Sequence, residues 1–192
     1  MKYGAGRDAL IRAAIDVIAE EGLDGFSYRK IGQRAGVNNT LISHHFGSKD
    51  NLLEEATVWA VQRTQELADL TLASGIDADL ADTVTKMALA DRNLQLFQFY
   101  MILGSRRSPE LQRMACNLYE SYISMMQRVL HRAGYPDDRL AARAVFAALD
   151  GLTLQHLTVS NMDEIHGAIV RLGELLQPRP AAVPAERSSS LT

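Results

Sequence analysis

Between Ser27 and Lys49 the chain carries no acidic residue, while Arg29, Lys30, Arg34 and Lys49 are basic and His44 and His45 sit among them. Interleaved with these are Ser27, Tyr28, Asn38, Asn39, Thr40, Leu41 and Ser43. Such a mixture suits a polyanion with readable edges: cations and hydroxyls meet phosphate, amides pair with adenine, and an exposed leucine meets a thymine methyl. No catalytic constellation competes with this reading. The adjacent histidines diverge by about 100° on a helix and cannot chelate one metal together. There is no His-Glu-x-x-His, no phosphate-cradling glycine loop and no nucleophile elbow. Cys116, the single cysteine, excludes an intramolecular disulfide and a Cys-built zinc site, and its apolar surroundings read as those of a buried thiol. Neither an enzyme nor a metal or cofactor is expected. Duplex DNA is the partner these side chains fit.

Side chains of this kind read a groove only when held on short, sharply turned helices. Ser27 is placed to cap a helix from Tyr28 to Ala35, closed by Gly36. A second short helix is expected from about Asn39 to Phe46, with Asn38 or Asn39 as cap. Gly36 permits the positive φ of a tight turn, and Val37 plugs the angle between the helices. Ile31, Ile42 and Phe46 then form a small core, leaving Asn38, Asn39, Thr40, Leu41, Ser43, His44 and His45 outward. A stabilising helix from about Arg7 to Glu21, stopped by Gly22, precedes them. This is the layout of a helix-turn-helix.

The rest of the chain also reads as helix. Only Pro109 and Pro136 interrupt it before the last fifteen residues, which hold the other three prolines. Helices are expected from Lys49 (capped by Ser48) to Ala73, from Asp77 or Asp79 to Asp91, and from Arg92 to Leu103. Three more are expected from Ser108-Pro109 to Ala133, from Asp137 to Ser160 and from Met162 to Leu176. No stretch shows strand-like alternation. The expected fold is all-α with about nine helices: a three-helix unit over 1–48, a larger helical body over 49–176, and a Pro/Ala/Ser-rich disordered tail over 177–192.

Composition agrees with that class. A chain of 192 residues, 47% hydrophobic and 22% charged, buries a core without staples and is neither disordered nor fibrous. Met1 to Gly22 lacks an apolar signal core, and no uncharged run approaches the ~20 residues of a membrane span. A cytoplasmic protein with no membrane partner is expected. The net charge of −3 hides an asymmetry, since residues 1–49 hold seven Lys/Arg against five Asp/Glu and the remainder 13 against 18. A local basic patch matters more to a phosphate backbone than the global sum.

The run from Ser27 to Leu52, with Ile31, Ala35, Gly36, Val37, His45, Phe46, Lys49 and Leu52 in ungapped register, resembles the DNA-binding domain of the tetracycline-repressor (TetR) family. Gly32, Asn38, Thr40, Ile42 and Ser43 depart from the family pattern, which has alanine, serine, glycine, leucine and tyrosine there. In the family that tyrosine commonly touches a phosphate, so the contact from Ser43 must be shorter or absent. The Ile42-Ser-His-His-Phe46 version, and the segment Ala144 to Gln155, are similar to the BetI-like branch. The resemblance implies a regulator, most often a repressor, that binds a palindromic operator as a homodimer and is released by a small organic ligand. Lys49, Tyr28 and His45 are the expected phosphate contacts; Asn39, Thr40 and His44 are the expected base readers.

It also implies a ligand site in the body. Adaptable methionines and tyrosine hydroxyls make Trp59, Phe97, Tyr100, Met101, Met114, Leu118, Tyr122, Met126 and Phe146 the candidate lining. The helix from Arg92 to Leu103 is apolar all round and is expected to be central. Asp150 reads as a helix-packing polar residue or a ligand anchor. Small residues at Ala141, Ala144, Ala148 and Gly151, beside Leu140, Leu152 and Gln155, allow close helix approach. With Ile165, Ile169, Leu172 and Leu176 of the last helix they suit a two-fold four-helix interface. The alternative is a helical small-molecule-binding or interaction protein with weakened DNA binding, motivated by Thr40 and Ser43.

Overall fold

The computed structural model describes residues 3–71 and 91–176. Among the described residues there are eight α-helices and no strand: α1 (Tyr3–Glu21), α2 (Tyr28–Ala35), α3 (Thr40–Phe46), α4 (Lys49–Thr71), α5 (Arg92–Gly104), α6 (Pro109–Arg132), α7 (Arg139–Thr158) and α8 (Met162–Leu176). Single 3-10 turns at Leu23–Gly25 and Ser105–Arg107 lead into α2 and α6. The helix expected to begin at Asp77 or Asp79, Met87 within it, and the tail over 177–192 lie outside the described residues. Asp91, expected as the last residue of that helix, instead caps α5, its Oδ1 accepting from the Leu94 N–H at 3.0 Å.

Local chemistry places the helix starts. Ser108 Oγ accepts from the Leu111 N–H at 3.2 Å, and Asp138 Oδ1 accepts from Leu140 and Ala141 at 2.8 and 3.2 Å. Each such bond satisfies a donor that has no partner within the helix. Pro109 occupies the first turn of α6, where a missing N–H costs nothing.

Two hydrophobic cores result. Leu10, Ala14, Ile15 and Ile18 of α1 are wholly buried and meet Ile31, Ile42, Leu52, Leu94, Phe97, Met101 and Met114. The first 48 residues therefore bury their apolar surface against α4, α5 and the start of α6. Farther along α6, two buried faces, one with Leu118, Tyr122, Met125 and Val129 and the other with Ile123, Met126 and Leu130, meet α7 and α8 in the second core. The same α6 runs through both.

Three expectations are corrected. Leu103 is 76% exposed and Tyr100 lies at the surface, so α5 is not buried all round. Cys116 is exposed, because it falls on the side of α6 that carries Gln112, Arg113, Asn117 and Glu120. Leu41 is half-buried against the first core, not fully exposed.

Candidate nucleic-acid interface

α2 and α3 are set by one turn. Ser27 Oγ accepts from the Lys30 N–H at 3.4 Å, and Gly36 closes α2 in the left-handed region with φ 66. A side chain is strained at that φ, so glycine is the fitting residue. Gly32 allows a close approach behind the turn: a Cβ there would stand 3.0 Å from the Val37 carbonyl oxygen and 3.1 Å from the Asn39 Cα. Val37 is half-buried against the first core.

At the start of α3 the two asparagines divide the work. Asn38 Oδ1 accepts from both the backbone N–H and the hydroxyl of Thr40, each at 2.9 Å. Asn39 occupies the cap position without a side-chain cap bond and is exposed. Ile42 and Phe46 bury one side of α3, and Asn39, Thr40, Ser43 and His44 stand exposed on the other. His45 is half-buried, its ring edge-on to those of His44 and Phe46 at 5.1 and 6.1 Å.

The positive charge is smaller than its residue count. Lys30 pairs with Glu21, and Arg34 with Glu20, both acids at the end of α1. Arg29 is exposed and makes no ion pair among the described residues. Lys49 Nζ donates to the Phe26 carbonyl at 3.2 Å and lies 5.4 Å above the Phe26 ring. An ammonium has three donors, so two remain for a phosphate. Tyr28 is half-buried with its ring against the first core. Beside Lys49, a cleft of about 370 Å³ opens between the turn after α1 and the starts of α4 and α6, with Leu23, Phe26, Arg107 and Met114 in its walls.

The candidate ligand residues do not form one group. Phe97, Met101 and Met114 belong to the first core, with Trp59 packed against it. Leu118, Tyr122, Met126 and Phe146 belong to the second. Tyr100 faces away from both, its ring against Gly22 near the end of α1. Of the polar groups that meet the second set, sequence reasoning singled out Asp150 but missed Thr64 and Gln98. The Tyr122 hydroxyl donates to Thr64 Oγ1 at 3.2 Å, and Gln98 Nε2 donates to the same oxygen at 3.4 Å, all three residues being buried. Tyr119 donates to Asp150 at 2.8 Å and stands edge-on to Phe146 at 5.3 Å. Burial pushes the Asp150 carboxyl above its ordinary range, while the Tyr119 hydrogen bond opposes that. Burial likewise raises both tyrosine hydroxyls, with the Asp150 charge adding to it. They stay protonated donors. Thr64 and Gln98 carry no motif; only the polar interruption of otherwise buried helix faces could have flagged them.

The candidate interface residues also divide. Ile165 and Ile169 are 4% and 3% exposed, buried in their own chain's second core, which corrects their assignment to a face that meets a partner. Leu172 is half-buried against the same core. On α7, Leu140 is 76% exposed, Ala144 and Gln155 are exposed, and Ala148, Gly151 and Leu152 are partly covered. A Cβ at Gly151 would meet nothing within 4 Å. Leu154, Met162 and Leu175 are also exposed and were not anticipated.

A capped, glycine-turned helix pair that buries one side of its second helix and bares amides, a hydroxyl and an imidazole on the other defines a helix-turn-helix transcriptional regulator. Comparison with known proteins carries this to a family. The description "Bacterial regulatory proteins, tetR family" matches residues 10–56, and "Tetracyclin repressor-like, C-terminal domain" matches residues 75–176. The chain belongs to the TetR family and is BetI-like. It is 31% identical over 171 residues to the HTH-type transcriptional regulator BetI 2 of Chromohalobacter salexigens, covering 82% of this chain and 80% of that one. It is 29% identical over 161 residues to BetI of Serratia proteamaculans, covering 78% and 79%. Among solved structures it is similar to the multidrug binding protein EbrR complexed with imidazole, with TM-score 0.64, 26% identity, and 92% and 97% of the two chains covered. The fatty acid degradation regulator FadR of Bacillus halodurans shares the fold, with TM-score 0.72, 22% identity, and 93% and 100% covered. Among the described residues, no helix is long and apolar enough to cross a membrane, and no cluster of three or more His, Cys, Asp or Glu side chains is placed to hold a metal ion.

Proposed function

We propose that the chain is a ligand-released repressor that binds a palindromic operator as a homodimer. The observation that carries this is the exposed face of α3, where Asn39, Thr40, Ser43 and His44 stand opposite buried Ile42 and Phe46. Asn39, Thr40 and His44 read base edges in the major groove. Lys49, Arg29, Tyr28 and His45 hold phosphates. Asn38 acts mainly by ordering the first turn of α3, and Ser27 by capping α2. Dimerisation uses the Ala144–Ala148–Gly151 strip of α7 with Leu154, and Leu175 from α8.

The inducer site lies in the second core, around Leu118, Tyr122, Met126 and Phe146, with Thr64, Gln98, Tyr119 and Asp150 as polar anchors. A small organic molecule there competes for the tyrosine hydrogen bonds and parts α6 from α4 and α7. EbrR, a relative described as a multidrug binding protein, supports a site for small organic molecules in a body of this fold. A ligand that binds better when α4 is tilted must weaken DNA, because the two affinities are linked reciprocally.

Selection of duplex fragments from the source genome tests the reading, followed by a mobility shift with pure protein. A retarded palindromic fragment bound by two chains supports it. Binding indifferent to sequence at moderate salt, or a monomer at micromolar concentration by sedimentation, would sink it. Ligand saturation of the body with no duplex bound would instead favour the helical small-molecule-binding protein.

A further inference from the structure

Of the polar contacts that join the DNA-reading unit to the body, the one centred on Asp91 is half-buried. Arg12 of α1 reaches the cap of α5 with a two-pronged bond: Nη2 donates to Asp91 Oδ1 at 2.8 Å and Nη1 donates to Oδ2. The same Nη2 stands 3.3 Å from Asp16 Oδ1, one turn farther along α1. Asp16 Oδ1 in turn accepts from Asn93 Nδ2 at 2.9 Å. The two carboxylates are 18% and 19% exposed, so solvent screens the group less than an ordinary surface pair. Arg63 of α4 adds to the positive field at Asp91, and Arg12 holds that carboxyl below its usual range against the opposing effect of burial. Two helices thus share one carboxylate: α1 of the reading unit and α5 of the body.

The apolar contacts of α1 with α5 hold the helices together. A guanidinium fork on a carboxylate fixes direction as well as distance. We infer that Arg12 and Asp91 are positioning residues that set the angle of the DNA-reading unit on the body, and through it the half-site separation a dimer accepts. The DNA consequence rests on the dimeric operator reading above; the angular restraint itself does not. Neither residue touches DNA in this scheme. α2 and α3 pack on α1 in the first core, which α5 also enters, so a change in the α1–α5 angle displaces all three reading helices. Two reading units held at one angle fit one groove separation, whereas loosely held units accept several.

The test uses full-length protein with Asp91→Asn, which keeps an oxygen able to cap α5 but removes the charge, and with Arg12→Gln. Binding is measured on the selected operator, on versions with one base pair inserted or removed between half-sites, and on a single half-site. Wild type is expected to reject the altered spacings by about tenfold or more, and both variants by less than about threefold, with half-site affinity within about twofold. In parallel, spin labels at Gln33→Cys and Arg128→Cys in a Cys116→Ser background, diluted with unlabelled protein, report the unit-to-body distance. Its distribution is expected to broaden in both variants. Wild-type spacing discrimination and an unchanged distribution would overturn the inference, and so would a lower Tm with both readouts unmoved, which marks an ordinary ion pair. Should wild type select no duplex at all, the operator reading fails while the label distances still decide this one.

Discussion

At Gly32 two opposing effects meet. Alanine inside a helix gains about 1 kcal/mol over glycine. Here, however, the new Cβ meets backbone atoms of Val37 and Asn39 at 3.0–3.1 Å, which cannot swing aside as a side chain can. Gly32→Ala is expected to leave stability within about 1 kcal/mol of wild type but to lower operator affinity, because Asn39 must move. A thermal melt beside a binding isotherm checks both halves. The cations divide in a similar way. Arg29→Ala and Lys49→Ala should each flatten the salt dependence of binding by about one unit. Lys30→Ala and Arg34→Ala should flatten it less, since Glu21 and Glu20 already neutralise those charges. Asp150 makes a third case. Its carboxyl binds a proton more readily folded than unfolded, so ionising it as pH rises costs stability. Asp150→Asn, which keeps an acceptor for Tyr119, should raise Tm at neutral pH. The gain should vanish below about pH 3, where the native carboxyl is protonated in both states.

Among the elements, α2 shows what was legible. Its bounds, Tyr28–Ala35, follow from Ser27 and Gly36, because capping is chemistry between near neighbours in sequence. Ser108 acts likewise at α6, and Ser108→Ala should cost about 0.5–2 kcal/mol in a denaturant titration. Periodicity located the helices but not what covers each face. Leu41, Tyr100, Cys116, Ile165 and Ile169 were each placed on an apolar or open side without knowledge of the neighbour that decides it. Ile169, for example, repeats at the same helical step whether α6 and α7 of its own chain cover it or a second copy does. The Arg12–Asp91 pair joins residues 79 apart and could not be read from spacing at all. Its pH signature is opposite to that of Asp150. Asp91 has its pKa lowered on folding, so its stabilisation is present above about pH 4 and is lost as pH falls through the folded value. The stability deficit of Asp91→Asn should therefore shrink in acid.

For the whole molecule, the continuous element is α6, whose 24 residues span about 36 Å. Met114 near its start packs in the first core, while Tyr122 and Met126 pack in the second. A ligand that shifts Tyr122 therefore acts on a rod whose other end touches the DNA-reading unit. A coupling of about 1–3 kcal/mol along it would change operator affinity about 5- to 150-fold. Trp59, half-buried on α4 against the first core, is the natural reporter. Its fluorescence should change with the same ligand midpoint as operator release, and a ligand that saturates without releasing DNA would break the proposed link. All of this presupposes sequence-specific reading by α3. That is tested most directly by competition between the fragment selected from the source genome and random duplex of equal length, at near-physiological salt. The expected result is a preference of about 10³-fold or more, largely lost when Asn39, Thr40 and His44 are replaced together by alanine. Equal affinity for the two duplexes would contradict DNA reading through α3.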